Sequence, residues 1–262
     1  ISCFRDNKIN SKGTMYTPPA LIVAYIIRNV NGKTMNNDQI TNQETATILE
    51  LAKQCLTLPG DFVELGCYKG ETSVLLGKLL AQSNQNLKNC GKPVDNLCKN
   101  QEIECKTSVD YVENPCKTPQ RRLWLYDSFA GLPEKTIEDA SGAGQNFRAG
   151  ELFVTKREVV EKIRRANLRN VVIKKAWFDD LIDQDLPHQI AFAFLDGDLY
   201  GSIKTSLKLV TPRLVKQGIM VVHDYNNPEL PGSSRAVDEF LRIHPEYRLS
   251  VRHTLAILRT KC

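Results

Sequence analysis

The sequence predicts an α/β protein with a doubly wound, largely parallel sheet closed by an antiparallel hairpin, and three observations carry that expectation. Short apolar runs alternate with amphipathic helical patterns from Asp61 onward. One run, Ile190 to Leu195, is apolar throughout, as a central strand covered on both faces must be. The chain then finishes with Tyr247–Val251 and Leu255–Leu258, whose very short link makes them antiparallel neighbours.

Before the sheet, Thr17-Pro18-Pro19 stops any earlier helix and can start the next, Ala20 to Val30. Thr41 and Glu44 form a capping box for a helix to about Leu56, with Ile48, Leu49, Leu51, Ala52 and Cys55 at helical spacing. Residues 1–40 thus read as an N-terminal helical extension. The first helices are expected to pack over the site or against a second subunit of a homo-oligomer. Residues 41–262 read as one domain carrying an insertion at 82–120.

The organising stretch is Gly60 to Thr72, GDFVELGCYKGET. Phe62-Val63 leads into Glu64, Gly66 and Gly70, and a helix follows from Thr72 to Ala81, so the order is strand, tight turn, helix start. Glycine suits a backbone passing close to a bound molecule, and the helix behind it aims free N–H groups into the same crevice. The spacing E-x-G-x-x-x-G departs from the dinucleotide pattern G-x-G-x-x-G, which suits a ligand without a pyrophosphate.

Strand two is expected at Arg122–Tyr126 with Asp127 at its end. Pro133 to Gly150 reads either as a surface loop or as a lid over substrate. Thr155 and Glu158 cap a basic helix to about Ala166. Strand three, Val171–Lys174, leads to Trp177-Phe178-Asp179-Asp180. After Ile190–Leu195 comes Asp196-Gly197-Asp198, then a helix from Ser202 to Val215, a strand Gly218–Val222 ending in His223-Asp224, and a helix Ser234–Ile243.

At 262 residues, 42% hydrophobic and 25% charged, the composition is that of an ordinary globular chain. A formal charge of +5 without a Lys/Arg block argues against nucleic acid. Arg28 closes the apolar stretch Ala20–Ile27 well short of a membrane span, so no membrane partner is expected. No signal or transit pattern is visible and a cytoplasmic address is expected, with an upstream segment removed or omitted before Ile1. Of eight cysteines, Cys55 and Cys67 read as buried thiols. Cys90, Cys98, Cys105 and Cys116 fit no paired zinc spacing and read as reduced surface thiols or as disulfides within the insertion.

In open α/β sheets, ligands gather beyond the carboxyl ends of the strands. Those ends carry Glu64, Asp127, Trp177, Asp196, Asp198, His223 and Asp224. So many acids in one crevice repel one another unless a cation joins them. Glu64 and Asp127 stand where an adenosine ribose would sit; Asp196, His223 and Asp224 stand across the switch point, where a second substrate and a hard cation such as Mg²⁺ or Mn²⁺ belong.

The phrases GDFVELGCYKGET, LWLYDSFAGLPE, FLDGDLYGS followed by PRLVKQGIMVVHDY, and SSRAVDEFL, in that order, resemble the macrocin O-methyltransferase (TylF-like) family, whose members act on sugar hydroxyls of antibiotics. The resemblance covers roughly Thr41 to Leu258 apart from the cysteine insertion. It implies a class I methyltransferase fold, a Rossmann-like seven-stranded sheet with its last strand antiparallel. It also implies S-adenosylmethionine as donor, a divalent metal, usually Mg²⁺, and a small-molecule or sugar hydroxyl as acceptor. On that resemblance Glu64, Gly66, Cys67, Tyr68, Gly70, Thr72, Asp127 and Ser128 would serve the amino acid and ribose parts of the cofactor, with Trp177, Phe178 and Asp179 near the adenine. Asp196, His223 and Asp224 would hold the metal, with Asp196 the first choice of general base and His223 the second. The family usually has two aspartates where this chain has His223-Asp224, and histidine shifts metal preference toward Mn²⁺, Fe²⁺ or Zn²⁺. Two rivals remain: a nucleotide-sugar or NAD-dependent enzyme, and a non-catalytic member with a decayed metal site.

Overall fold

The computed structural model describes residues 39–90, 120–142 and 147–261. The expected helix Ala20–Val30 and the thiols of Cys90, Cys98, Cys105 and Cys116 lie outside the described residues.

Thr41 starts the first helix, α1 (Asn42–Gln54), as its capping box predicts. The Thr41 hydroxyl accepts from Glu44 N at 3.2 Å, and Thr41 N donates to the Glu44 carboxylate at 2.9 Å. A single 3₁₀ turn, Cys55–Thr57, replaces the last part of the expected helix. Strand β1 (Asp61–Leu65) is buried beyond Asp61 and runs into the glycine turn.

Helix α2 (Glu71–Cys90) runs further than its periodicity suggests, into the stretch assigned to the insertion. A tertiary contact explains the extension. Buried Asn84 donates its amide to Arg121 O at 2.9 Å and accepts from Arg121 N at 3.2 Å, tying the helix to the chain that enters strand β2 (Leu123–Asp127). The capping box at Thr155 and Glu158 opens α3 (Lys156–Arg165), and β3 (Val171–Lys175) follows.

Strand β4 (Ile190–Leu195) is buried at every residue. Helix α4 (Tyr200–Val210) begins and ends earlier than expected. Its start is fixed by Asp139, which accepts from Tyr200 N at 2.7 Å, and its end by the 3₁₀ turn Thr211–Arg213 around Pro212. Leu214 and Val215 therefore belong to β5 (Leu214–Val222), a strand longer than the predicted Gly218–Val222. Helix α5 (Pro231–Ile243) gains a first turn because proline at its start has no N–H to leave unpaired. Strands β6 (Tyr247–Arg252) and β7 (Leu255–Thr260) form the closing hairpin.

The sheet has seven strands in the order β3-β2-β1-β4-β5-β7-β6. Pairings from β3 to β5 are parallel, and β7 lies antiparallel between β5 and β6. One face packs Phe62, Phe192 and Phe194 against α1, α2 and α3; the other packs Val63, Ala193 and Met220 against α4 and α5. Among the described residues no helix is long and apolar enough to cross a membrane.

The switch point lies at β1, which pairs with β2 on one side and β4 on the other. Gly66 sits there at φ +90°, and a Cβ would fall 1.9 Å from the Asp196 carbonyl oxygen. This glycine is therefore demanded by the close approach of the chain leaving β4, a packing reason that stands beside the expected approach of a ligand. Gly66→Ala is expected to cost about 2 kcal/mol or more of stability, from backbone strain and overpacking combined. Urea unfolding checks this, and an unchanged midpoint would contradict the packing described.

Candidate functional site

A cavity of about 510 Å³ opens over the carboxyl ends of the parallel strands. From the β1 and β2 side it is walled by Gly66, Tyr68, Asp127 and Ser128; from the β3 side by Trp177, Phe178 and Asp179. Asp196, Gly197, Asp198, His223 and Asp224 close it on the β4 and β5 side. The segment after β2 contributes Leu132, Pro133, Glu134, Thr136 and Asp139, and the segment before α5 contributes Asn227, Glu229 and Leu230. Residues far apart in the chain thus share one hollow because each follows a parallel strand.

Asp127 organises the first half. One carboxylate oxygen accepts from Cys67 N at 2.9 Å and Tyr68 N at 3.1 Å, and the other accepts from Phe129 N at 2.8 Å. The group clamps the turn after β1 to the turn after β2. A carboxylate has about four acceptor positions, so capacity for ligand hydroxyls remains. Tyr68 at φ +41° and Phe129 at φ +48° show the backbone bent tightly around this carboxylate. The Ser128 hydroxyl accepts from Ala130 N at 3.1 Å, which shapes the same turn. Asp179 accepts from the Thr205 hydroxyl at 2.6 Å.

Four of the residues assigned to the cofactor side are not in the cavity wall. Glu64 is 1% exposed, and Cys67, Gly70 and Thr72 are also buried. The strand pleat turns Glu64 inward, and Gly70, at φ +74°, packs against Val159. Burial pushes the Glu64 carboxyl up to about 8, helped by the charges of Asp196 and Asp127 and opposed by the Ser73 hydroxyl. One of its oxygens has no hydrogen-bond partner. An orphaned buried acid beside an acidic crevice fits a ligand that brings an ammonium group.

The second half centres on His223. Its Nδ1 lies 2.9 Å from an Asp196 oxygen and 2.9 Å from an Asp224 oxygen. Ligand atoms of these three residues all lie within 4.8 Å of one another, the one such group among the described residues. Distances near 3 Å between donor atoms are also what neighbouring ligands of a small divalent ion adopt at about 2.1 Å from it. Two carboxylates and one imidazole accordingly fit a divalent cation, with a borderline ion such as Mn²⁺ suited to the nitrogen. Burial alone would push the His223 imidazole down, but Asp196, Asp224 and Glu44 together hold it well above its ordinary value. Burial raises Asp196, against the pull of His223, and raises Asp198 well above the usual carboxylate range, reinforced by Asp196.

Asp198 and Asp224 both occupy the left-handed region at φ +60°, so the two turns that present them are held by their surroundings. Asn227 donates to Asp224 at 2.8 Å. Two polar side chains near the mouth of this half are already engaged: Tyr200 donates to Glu239 at 2.6 Å, and Arg235 donates to the Glu138 carbonyl. The sequence marks Glu44 only as a helix cap, yet its carboxylate reaches 3.9 Å from His223 Nε2. No signal in the residue order could have placed it there.

This sheet order, with an antiparallel seventh strand and a strand-end cleft, defines a class I methyltransferase fold. The solved O-methyltransferase NovP superposes with a TM-score of 0.65 at 20% identity, covering 92% of this chain and 99% of that one. CalS11, a calicheamicin methyltransferase, gives 0.58 at 18%, covering 94% of each. The family profile described as Macrocin-O-methyltransferase (TylF) matches residues 112–246, just over half of the chain, and the chain belongs to that family.

Among curated relatives, the 8-demethyl-8-(2,3-dimethoxy-alpha-L-rhamnosyl)-tetracenomycin-C 4'-O-methyltransferase of Streptomyces olivaceus is 25% identical over 174 residues, 64% of this chain and 54% of that protein. The demethyldecarbamoylnovobiocin O-methyltransferase of Streptomyces niveus is 24% identical over 203 residues, 73% of this chain and 64% of that protein. The chain thus spans between half and two thirds of the length of these relatives.

Because Glu64 binds its proton more tightly folded than unfolded, its contribution to stability is fully present below its ordinary pKa. It is lost as pH rises toward the folded value of about 8. The ligand-free protein should therefore lose thermal stability between about pH 5 and about pH 8, and Glu64→Gln should flatten that fall. A variant melting curve with the same pH slope as the parent would contradict the burial assigned to Glu64.

Proposed function

We propose that this chain is an S-adenosylmethionine-dependent O-methyltransferase acting on a hydroxyl of a small molecule, with a sugar or another vicinal diol as acceptor and a divalent cation at the acceptor side. The observation that carries the reading is the meeting of Asp196, His223 and Asp224 with Asp127 in one cavity of a chain of this family. Two of the relatives are named as O-methyltransferases of a rhamnosylated tetracenomycin and of demethyldecarbamoylnovobiocin, which supports a hydroxyl acceptor.

When bound, S-adenosylmethionine supplies a methyl group already activated on a sulfonium. Transfer of that methyl group to an acceptor oxygen would break the carbon–sulfur bond and leave its electron pair on sulfur. The protein's task is placement and proton removal. Asp127 offers its free acceptor positions to the ribose hydroxyls. Glu64, buried behind the cavity wall, would act on the amino acid end, where an ammonium group would take the place of its proton. Trp177 and Phe178 supply apolar surface for the adenine, and Asp179 a polar edge.

On the other side Asp196, His223 and Asp224 would hold the cation. When bound, the cation lowers the pKa of an acceptor hydroxyl and suits chelation by a vicinal diol. Asp196 takes the proton as attack proceeds, and His223 is the second candidate. A metal-free form of the same reaction is favoured by one observation: His223 Nδ1 lies 2.9 Å from an oxygen of each aspartate, so an imidazolium there would offset part of their charge.

Titration calorimetry should detect binding of S-adenosylmethionine or its demethylated product, and binding of neither would remove the cofactor assignment. Asp196→Asn should lower methyl transfer by about a hundredfold or more while leaving cofactor affinity within a few fold. Turnover of an identified acceptor that survives EDTA unchanged would leave His223 as the site's cation and end the metal role.

A further inference from the structure

Glu44 belongs to no part of the reaction as described, yet it is a buried acid, 2% exposed, aimed at the candidate metal cluster from the far side. Both of its oxygens are tied. Oε2 accepts from Thr41 N at 2.9 Å and from the Thr41 hydroxyl at 2.7 Å, within the cap of α1. Oε1 accepts from the Thr254 hydroxyl and, at 3.3 Å, from Thr254 N, in the turn between β6 and β7. Burial would raise this carboxyl, but contacts with His223, Thr254 and Thr41 keep it well below the usual carboxylate range. Helix cap and hairpin turn together fix an anion in place.

What that anion faces is His223 Nε2, a buried nitrogen with no hydrogen-bond partner. The other ring nitrogen, Nδ1, is the one turned to Asp196 and Asp224. An imidazole can rotate about its side-chain bond and exchange which nitrogen faces the aspartates, unless something holds the outer N–H. Glu44 Oε2 stands 3.9 Å from it, and an approach of about 1 Å would make a full hydrogen bond. A ligating imidazole that donates its outer N–H to a carboxylate has its tautomer fixed and its ligand nitrogen made a better donor.

We infer that Glu44 is a positioning residue for His223: it orients the ring so that Nδ1 faces the Asp196–Asp224 pair and holds the outer N–H, making the imidazole a workable ligand for a divalent cation. The inference rests on the proposed metal reading. It also gives the start of α1 a part in the site, since the residue that caps the helix is the one that supports the ligand.

The test is a double-mutant cycle read by Mn²⁺ binding, with free Mn²⁺ followed by electron paramagnetic resonance on the intact chain. Glu44→Gln keeps a residue that can complete the capping box but replaces the anion with a neutral amide. It should weaken Mn²⁺ binding by about tenfold or more. In a His223→Asp background, where there is no outer N–H to hold, the same substitution should leave Mn²⁺ affinity within about twofold. Thr254→Val, which removes the hydroxyl donor to Glu44 Oε1 but keeps the backbone one and does not touch the helix cap, should give a smaller loss in the parent and none in the His223→Asp background.

Unchanged or tighter Mn²⁺ binding by Glu44→Gln, or an equal loss in both backgrounds, would overturn the positioning role while leaving the metal site standing. Failure of the parent protein itself to bind Mn²⁺ would overturn the metal reading and this inference with it.

Discussion

The structure turns on how closely two parallel strands can approach where they end. Gly66 N donates to the Tyr126 carbonyl at 2.9 Å and Asp196 N donates to the Leu65 carbonyl at 2.8 Å, so the chain leaving β1 is held by β2 on one side and by β4 on the other. The Asp196 carbonyl occupies the space a Cβ at position 66 would need. That contact makes the floor of the cavity. Above it, the turns after β1 and β2 part from those after β4 and β5, and the hollow between them is where polar side chains from the ends of five strands meet.

A hollow built this way collects acids, and the protein answers their repulsion differently in its two halves. At Asp127 the charge is spent on backbone N–H groups, so the acid doubles as a clamp on the turn it serves. At Glu64 burial keeps the proton on. At Asp196 and Asp224 the answer is a histidine between them, itself backed by a third carboxylate, Glu44. Each solution leaves something a cationic ligand can use: open acceptor positions, an orphaned oxygen, and a nitrogen shared by two carboxylates. Topology gathers the ends of the parallel strands on one side, and the sequence places Asp127, Asp196 and Asp224 at those ends.

The strands were legible because burial on two faces leaves an unbroken apolar run, as in Ile190–Leu195, and the short link before Leu255 admits only a hairpin. Boundaries failed where distant contacts outweigh local pattern. Asn84, bonded to Arg121, carries α2 past the point where its composition turns polar, and Asp139 starts α4 at Tyr200. Strand-end acids could be read as neighbours from strand order alone. Which of them face the cavity could not, since the inward turn of Glu64 depends on the register of β1 between two partners. Glu44 was illegible as part of the site for a related reason. It lies on a helix before the sheet, and only the way α1 packs across β5 brings it to His223.

On the proposed reading one cavity would hold an adenosyl cofactor over Asp127 and a divalent ion at His223, side by side. A crystal structure with the demethylated cofactor and Mn²⁺, using the anomalous signal of manganese, would decide between this reading and its rivals. A manganese peak is expected among Asp196, His223 and Asp224, with the cofactor's ribose at Asp127 and its sulfur turned toward that peak. Manganese bound elsewhere, or a cofactor lying outside the space between Tyr68 and Trp177, would contradict it.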